Sequence, residues 1–189
     1  MILENTNTED KLAYCKEASD TQEPLFVEFL NNLDRCNFKA EINPEKDTNP
    51  YTHDLIVNGY SSDLKTQDTP FFKANKLYNI DPQWAITYNH KDYINYKKKY
   101  TNNNKQLLIF FDVTRKNEEM FGVNTFAMRA IFVAKASEIE LLIESAQVPL
   151  HEYINRKDDQ NGNAKSSYVI DVRKFSMIYY SGKSINILP

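Results

Sequence analysis

The chain is expected to fold as one mixed α/β domain, a central sheet flanked by helices. Three observations predict this class. Lys105–Val113 (KQLLIFFDV) is a continuous apolar run of the kind buried on both faces of a sheet. Asn58-Gly59 separates two strand-like runs, HDLIV and YSSDLKTQ. Apolar residues recur at helical spacing both before and after these strands. With 189 residues, 41% hydrophobic and 13% aromatic, the chain has enough apolar surface for a real core.

Residues 1–19 are polar and read as an arm, leaving 20–189 as the single domain. Asp20-Thr21-Gln22-Glu23 reads as a helix start, with Leu25, Phe26, Phe29, Leu30 and Leu33 forming the buried stripe. Residues 38–42 form a first strand, and after the turn-rich Asn43–Tyr51 come strands over 52–57 and 60–67. Residues 70–104 mix turns with a helix from about Asp92 to Tyr100. Strands follow over Lys105–Val113 and Phe126–Ala134, then a helix over Ser137–Ala146 with Ser137 as cap and Ile139, Leu142 and Ile143 inward. Lys157–Lys165 is a solvated loop, and Ser167–Phe175 a last strand carrying Tyr168, Ile170 and Val172 inward. Trp84 is expected in the core, and His151 has no evident partner.

Composition excludes several chemistries. The four glycines, Gly59, Gly122, Gly162 and Gly182, are scattered, so neither a phosphate-cradling loop nor a dinucleotide fingerprint exists, and no nucleotide cofactor is expected. Three His and two Cys without ligand spacing offer no zinc site. Cys15 and Cys36 read as free thiols. The start MILENTNTED has no leader character, and no stretch approaches the ~20 apolar residues that span a bilayer, so a cytoplasmic protein without membrane contact is expected. A net charge of −3 does not advertise a nucleic-acid binder, although one face can still be basic.

The hairpin carries the candidate chemistry. A two-residue Asn58-Gly59 loop pairs Val57 with Tyr60, Ile56 with Ser61, Leu55 with Ser62 and Asp54 with Asp63. Period two then sends Asp54, Asp63, Lys65 and Gln67 to one face, while Leu55, Val57, Tyr60 and Leu64 face the core. Two facing carboxylates, with Cβ atoms roughly 4.5–5.5 Å apart, repel one another. A raised pKa, a neighbouring ammonium or a divalent cation would offset that cost. Lys65 supplies the ammonium, and hard oxygen ligands suit Mg²⁺ or Mn²⁺.

His53-Asp54, eight residues, then Asp63-Leu64-Lys65 resembles the PD-(D/E)XK signature of restriction-endonuclease-like nucleases, with His53 where Pro is usual. The resemblance covers roughly residues 22–113 and implies an α-β-β-β-α-β core with extra C-terminal elements. It further implies that Asp54, Asp63 and the Leu64 backbone carbonyl bind Mg²⁺ or Mn²⁺, that Lys65 orients or deprotonates the attacking water, that Gln67 makes a polar contact, and that Glu28 is a helix-borne extra ligand. The implied activity is metal-dependent DNA phosphodiester hydrolysis, often by a homodimer.

Lys91–Lys105 holds five Lys against one Asp, interleaved with Tyr93, Tyr96 and Tyr100. Lys91, Lys97, Lys98, Lys99 and Tyr96 are therefore candidates for a DNA surface, set against an ordinary solvated helix. Asn89-His90 with His53 does not match the spacing of an HNH nuclease. Asp112 at a strand end reads as a sheet-edge cap in preference to an aid to the metal site, and Arg156, Asp158 and Asn161–Lys165 as a solvated polar loop in preference to a substrate contact. Two other functions compete: a catalytically silent nuclease-fold module that binds nucleic acid or a protein, and a metal enzyme acting on a small phosphorylated substrate.

Overall fold

A computed structural model describes residues 21–34, 36–49, 52–153 and 166–182. The expected arm, Cys15, the helix-start Asp20 and the loop Lys157–Lys165 lie outside these residues. The order opens with α1 (Glu23–Asn31), β1 (Ala40–Ile42), a 3₁₀ turn (Pro44–Asp47), β2 (Leu55–Val57) and β3 (Tyr60–Gln67). After α2 (Lys73–Tyr78), β4 (Ala85–Asn89) and α3 (His90–Lys99) comes β5 (Leu107–Arg115). The hairpin β6 (Glu118–Met120) and β7 (Val123–Thr125) leads to β8 (Met128–Lys135), α4 (Ala136–Glu144) and β9 (Leu150–Glu152). Last are β10 (Ser166–Asp171) and β11 (Ser176–Gly182).

Six strands form a mixed sheet in the order β1-β2-β3-β5-β8-β11, and three form a second sheet, β4-β10-β9. Every pairing in the large sheet is antiparallel except β3 with β5, which run parallel. A parallel neighbour requires a crossover; here β4 and α3 make it, and they land on the face that carries Asp63 and Lys65. The apolar run of β5 serves both faces. Phe110 packs with Phe26, Leu30, Leu55, Val57 and Ile131 beneath α1, whereas Ile109, Phe111 and Val113 pack with Trp84, Ile86, Tyr88 and Phe132 on the other side.

The hairpin register is as expected: Val57 faces Tyr60, Ile56 faces Ser61 and Leu55 faces Ser62. Asn58 and Gly59 both have positive φ, 52° and 80°, which the primed turn demands. Asn58 also pins the hairpin to its neighbour, since its Oδ1 accepts the Lys39 N–H at 2.7 Å and its own N–H donates to the Lys39 carbonyl at 2.8 Å.

Several expectations are corrected. Leu25 is 66% and Tyr60 48% exposed, because α1 presents only Phe26 and Leu30 squarely to the sheet and Tyr60 sits at the loop edge. Ser137 lies inside α4; Lys135 is the N-cap, and the Glu138 carboxylate accepts its backbone N–H at 2.8 Å. Phe126 precedes β8 and is exposed. The last expected strand is shorter: β10 ends at Asp171, a 3₁₀ turn takes Val172–Lys174, and a further strand that was not expected, β11, begins at Ser176. Val169 is also buried, so β10 is covered on both faces. Asp112 caps no edge; mid-sheet, it holds Arg129 through contacts of 3.0 and 2.7 Å. Trp84 is buried, and His151 meets the Tyr78 hydroxyl at 2.8 Å. Among the described residues, no helix is long and apolar enough to cross a membrane.

Candidate active site

β2 is shorter than the alternation predicts, and this shapes the site. Regular pairing stops at Leu55–Ser62, so Asp54 is a bend rather than a strand residue. The next hydrogen-bonding position of β3 belongs to Leu64, whose N–H would have gone to residue 53. The Asp54 side chain takes that donor instead, accepting the Leu64 N–H at Oδ2 over 3.1 Å. Leu64 directs its carbonyl to the same strand edge. Asp54 is thus clamped beside the Asp63–Leu64–Lys65 segment.

A 3₁₀ turn brings a second lysine to this place. Asn43, 1% exposed, fixes the turn by accepting the Glu45 N–H at 3.0 Å and donating Nδ2–H to the His53 carbonyl at 2.9 Å. Its own N–H donates to the Asp54 carbonyl at 2.9 Å. Lys46 then projects its Nζ to 2.5 and 2.6 Å from the two oxygens of Glu23, in the first turn of α1, and to 3.0 Å from Asp54 Oδ1. A carboxylate there also suits the positive end of the helix dipole.

The other half of the site is on the face covered by α3. Lys65 Nζ lies 2.8 Å from Asp63 Oδ2 and 2.8 Å from Asp92 Oδ2, and donates to the Tyr96 hydroxyl at 3.4 Å. Asp92 and Tyr96 are four residues apart, one above the other on the helix face that meets β3. His53 is tied in through its Nδ1, 2.9 Å from the Tyr100 hydroxyl.

Burial sets the electrostatics. Asp63 is 4% exposed, and loss of water pushes its carboxyl up to about 7 against the pull of Lys65, with Asp54 adding repulsion. Burial also works on Asp54, but Lys46, the Leu64 N–H and Lys65 outweigh it and hold that carboxyl below its usual range. Lys65 goes the other way: burial disfavours its charge, yet Asp63 and Asp92 prevail and keep it firmly protonated. Thus two neighbouring aspartates of the same chemistry differ, one ionised and one poised near neutrality.

The remaining candidates are dispersed. Glu28 is exposed and beside Arg129, Asp112 and Thr66, away from Asp54. Glu23, five residues earlier and about 140° around the helix, stands where a helix-borne carboxylate was expected. Gln67 turns to β4, donating to the Thr87 carbonyl at 3.3 Å and accepting its N–H at 3.2 Å. Tyr96 is half-buried against Lys65 rather than open for stacking. Lys97 is paired with Glu140 and Glu144 of α4, whereas Lys91, Lys98 and Lys99 are exposed. Sequence reasoning missed Glu23, Lys46 and Asp92 as site residues, and gave Tyr96 to a DNA surface rather than to Lys65. The i, i+4 spacing of Asp92 and Tyr96 was the visible signal.

The donors around Asp63 are chemically of the type that a hard divalent cation uses. Asp54, Asp63 and the Leu64 carbonyl offer oxygen donors, and the buried Asp63 Oδ2 has the Lys65 ammonium as its partner at 2.8 Å. Among the described residues, no group of three or more His, Cys, Asp and Glu side chains is placed to hold a metal ion. Two carboxylates and a carbonyl are the kind of hard oxygen donor used by an ion that keeps several waters. Compared with known proteins, the chain matches no family model, no curated protein and no solved structure.

Proposed function

We propose that this protein is a Mg²⁺- or Mn²⁺-dependent phosphodiesterase acting on DNA, with a restriction-endonuclease-like core. The observation that carries the reading is that Asp54 is held on the Leu64 N–H between Asp63 and Lys65, which pair with each other, an arrangement that follows from the early end of β2. The order α1-β1-β2-β3-α3-β5, with β3 parallel to β5, supports the same topology, with α2 and β4 inserted in the crossover.

In this reading Asp54, Asp63 and the Leu64 carbonyl hold the metal. When bound, it supplies Lewis acidity to a phosphate oxygen and acidifies a water. Asp63 must release its proton to serve, so activity rises with pH through neutrality. Asp63 and Asp92 favour the charged form of Lys65. Its ammonium, oriented by Asp63 and Asp92, positions the attacking water and balances charge growing on the phosphate. Lys91, Lys98 and Lys99 supply exposed positive charge for the DNA backbone.

The test is cleavage of supercoiled plasmid with Mg²⁺ or Mn²⁺, beside an EDTA control and the Lys65→Ala variant. Nicking that needs the metal and falls at least ~100-fold in the variant is expected, the scale of losing one charge-stabilising donor. A specific observation favours the alternative, a nuclease-fold module that binds without cutting: both aspartates already have lysine partners. Absence of cutting on single- and double-stranded DNA, with binding retained, would select it.

A further inference from the structure

The acidic groups on the two sides of Asp54 are not equivalent. Towards Asp63 the ammonium of Lys65 contacts Asp63 and Asp92, each at 2.8 Å, and does not bridge Asp63 to Asp54. Towards Glu23 the place between two carboxylates is already filled by a cation, the ammonium of Lys46. Three carboxylate oxygens lie within 3.0 Å of that nitrogen, and the Lys46 side chain is only 14% exposed. Its backbone cannot readily withdraw, because the turn that carries it is fastened by the buried Asn43 side chain to the segment leading into Asp54.

We propose that Lys46 is a resident cation, standing permanently where a second divalent ion would bind between Glu23 and Asp54. It thereby restricts the site to a single metal. This rests on the reading of Asp54 and Asp63 as metal ligands. Glu23 and one oxygen of Asp54 are neutralised by a charge tethered to the chain. The remaining side of Asp54, with Asp63, is what a divalent ion can use. An ammonium offers three donors and one positive charge, matching the three oxygens around it. It is thus a positioning residue: it fixes the orientation of Asp54 and needs no metal to do so. Replacing it should expose a paired-carboxylate site that hard cations will occupy.

Mn²⁺ titration calorimetry on the wild type, Lys46→Met and Lys46→Met with Glu23→Gln tests this. Methionine keeps an unbranched stem of similar reach without the charge. Expected are one ion per wild-type chain, two per Lys46→Met chain, and one again in the double variant. Unchanged stoichiometry in Lys46→Met would overturn the proposal, as would two ions in the wild type. No ion in the wild type but one in Lys46→Met would uphold the role of Lys46 while removing Asp54–Asp63 as a metal site, so the two readings fail separately. A second measurement needs no variant: amine acylation of the wild type, followed by mass spectrometry with and without Mn²⁺. Lys46 should stay protected in both. Protection lost on adding Mn²⁺ would show that the metal displaces the lysine, overturning its residence.

Discussion

Asp63 is ionised in the unfolded chain above about pH 4 but holds its proton in the folded one until about 7. Its folded pKa is raised, so between those values the folded state binds more protons and stability falls as pH rises. The loss is complete above the folded value and is at most about 4 kcal/mol, from roughly three units of displacement. Asp63→Asn removes the ionisation while preserving shape. In metal-free urea denaturation the variant should match wild type near pH 4 and exceed it by a few kcal/mol at pH 8. Glu23 is shifted in the same direction but is present in both proteins, so the difference isolates Asp63. Equal stability at pH 8 would show that the carboxylate is not paying for its burial. In the same variant, metal-dependent cleavage should vanish.

At the level of elements, α3 has a divided role. Its inner face gives Asp92 and Tyr96 to Lys65, its side gives Lys97 to α4, and its outer face leaves Lys98 and Lys99 in water. Lys98→Glu with Lys99→Glu should therefore weaken DNA binding, flatten its salt dependence and leave Mn²⁺ affinity alone. Unaltered binding would take the helix out of the DNA surface. Much at this level was legible in sequence. Asn58-Gly59 dictates a positive-φ loop, and from that alone three partner pairs follow. The run in β5 announces burial on both faces. Glu23 and Lys46 were not legible as partners, because 23 positions separate them and neither lies in a periodic pattern. Asp54 was assigned to the right neighbours for an incomplete reason. Alternation predicts that it faces Asp63 across a ladder, whereas it reaches the Leu64 N–H because the ladder has ended.

Across the whole molecule the two sheets are joined by a buried arginine, and the second sheet is the part that sequence reasoning did not anticipate. Its strands are short, and β9 and β10 flank the segment 154–165, so no contiguous pattern announces their pairing. Arg115, 2% exposed at the end of β5, donates to the Gln67 carbonyl at 2.6 Å and the Ala85 carbonyl at 2.9 Å. It thereby ties the far ends of β3 and β5 to the start of β4. Burial pulls its guanidinium down to about 10, against the weaker opposing pull of Asp68 and Glu118. Arg115→Met fills the space but leaves those carbonyls without their donor, which should cost about 2–4 kcal/mol. Urea unfolding should show a lower midpoint. A midpoint within error of wild type would mean that packing alone holds the sheets together.

The Asn58–Gly59 loop has one more consequence, in the lifetime of the protein rather than its fold. Glycine leaves its nitrogen unshielded, so an Asn-Gly pair is chemically prone to attack of that nitrogen on the Asn58 side-chain amide and to deamidation, a reaction that here must first release the amide from the Lys39 N–H. Isoaspartate at this position would lengthen the loop by one backbone methylene. The pairing that sets Asp54 beside Leu64 is counted from that loop, so ageing there would reach the carboxylates without touching them. Aged protein resolved by charge should lose metal-dependent activity, whereas Asn58→Asp, with the same charge and an ordinary backbone, should retain it.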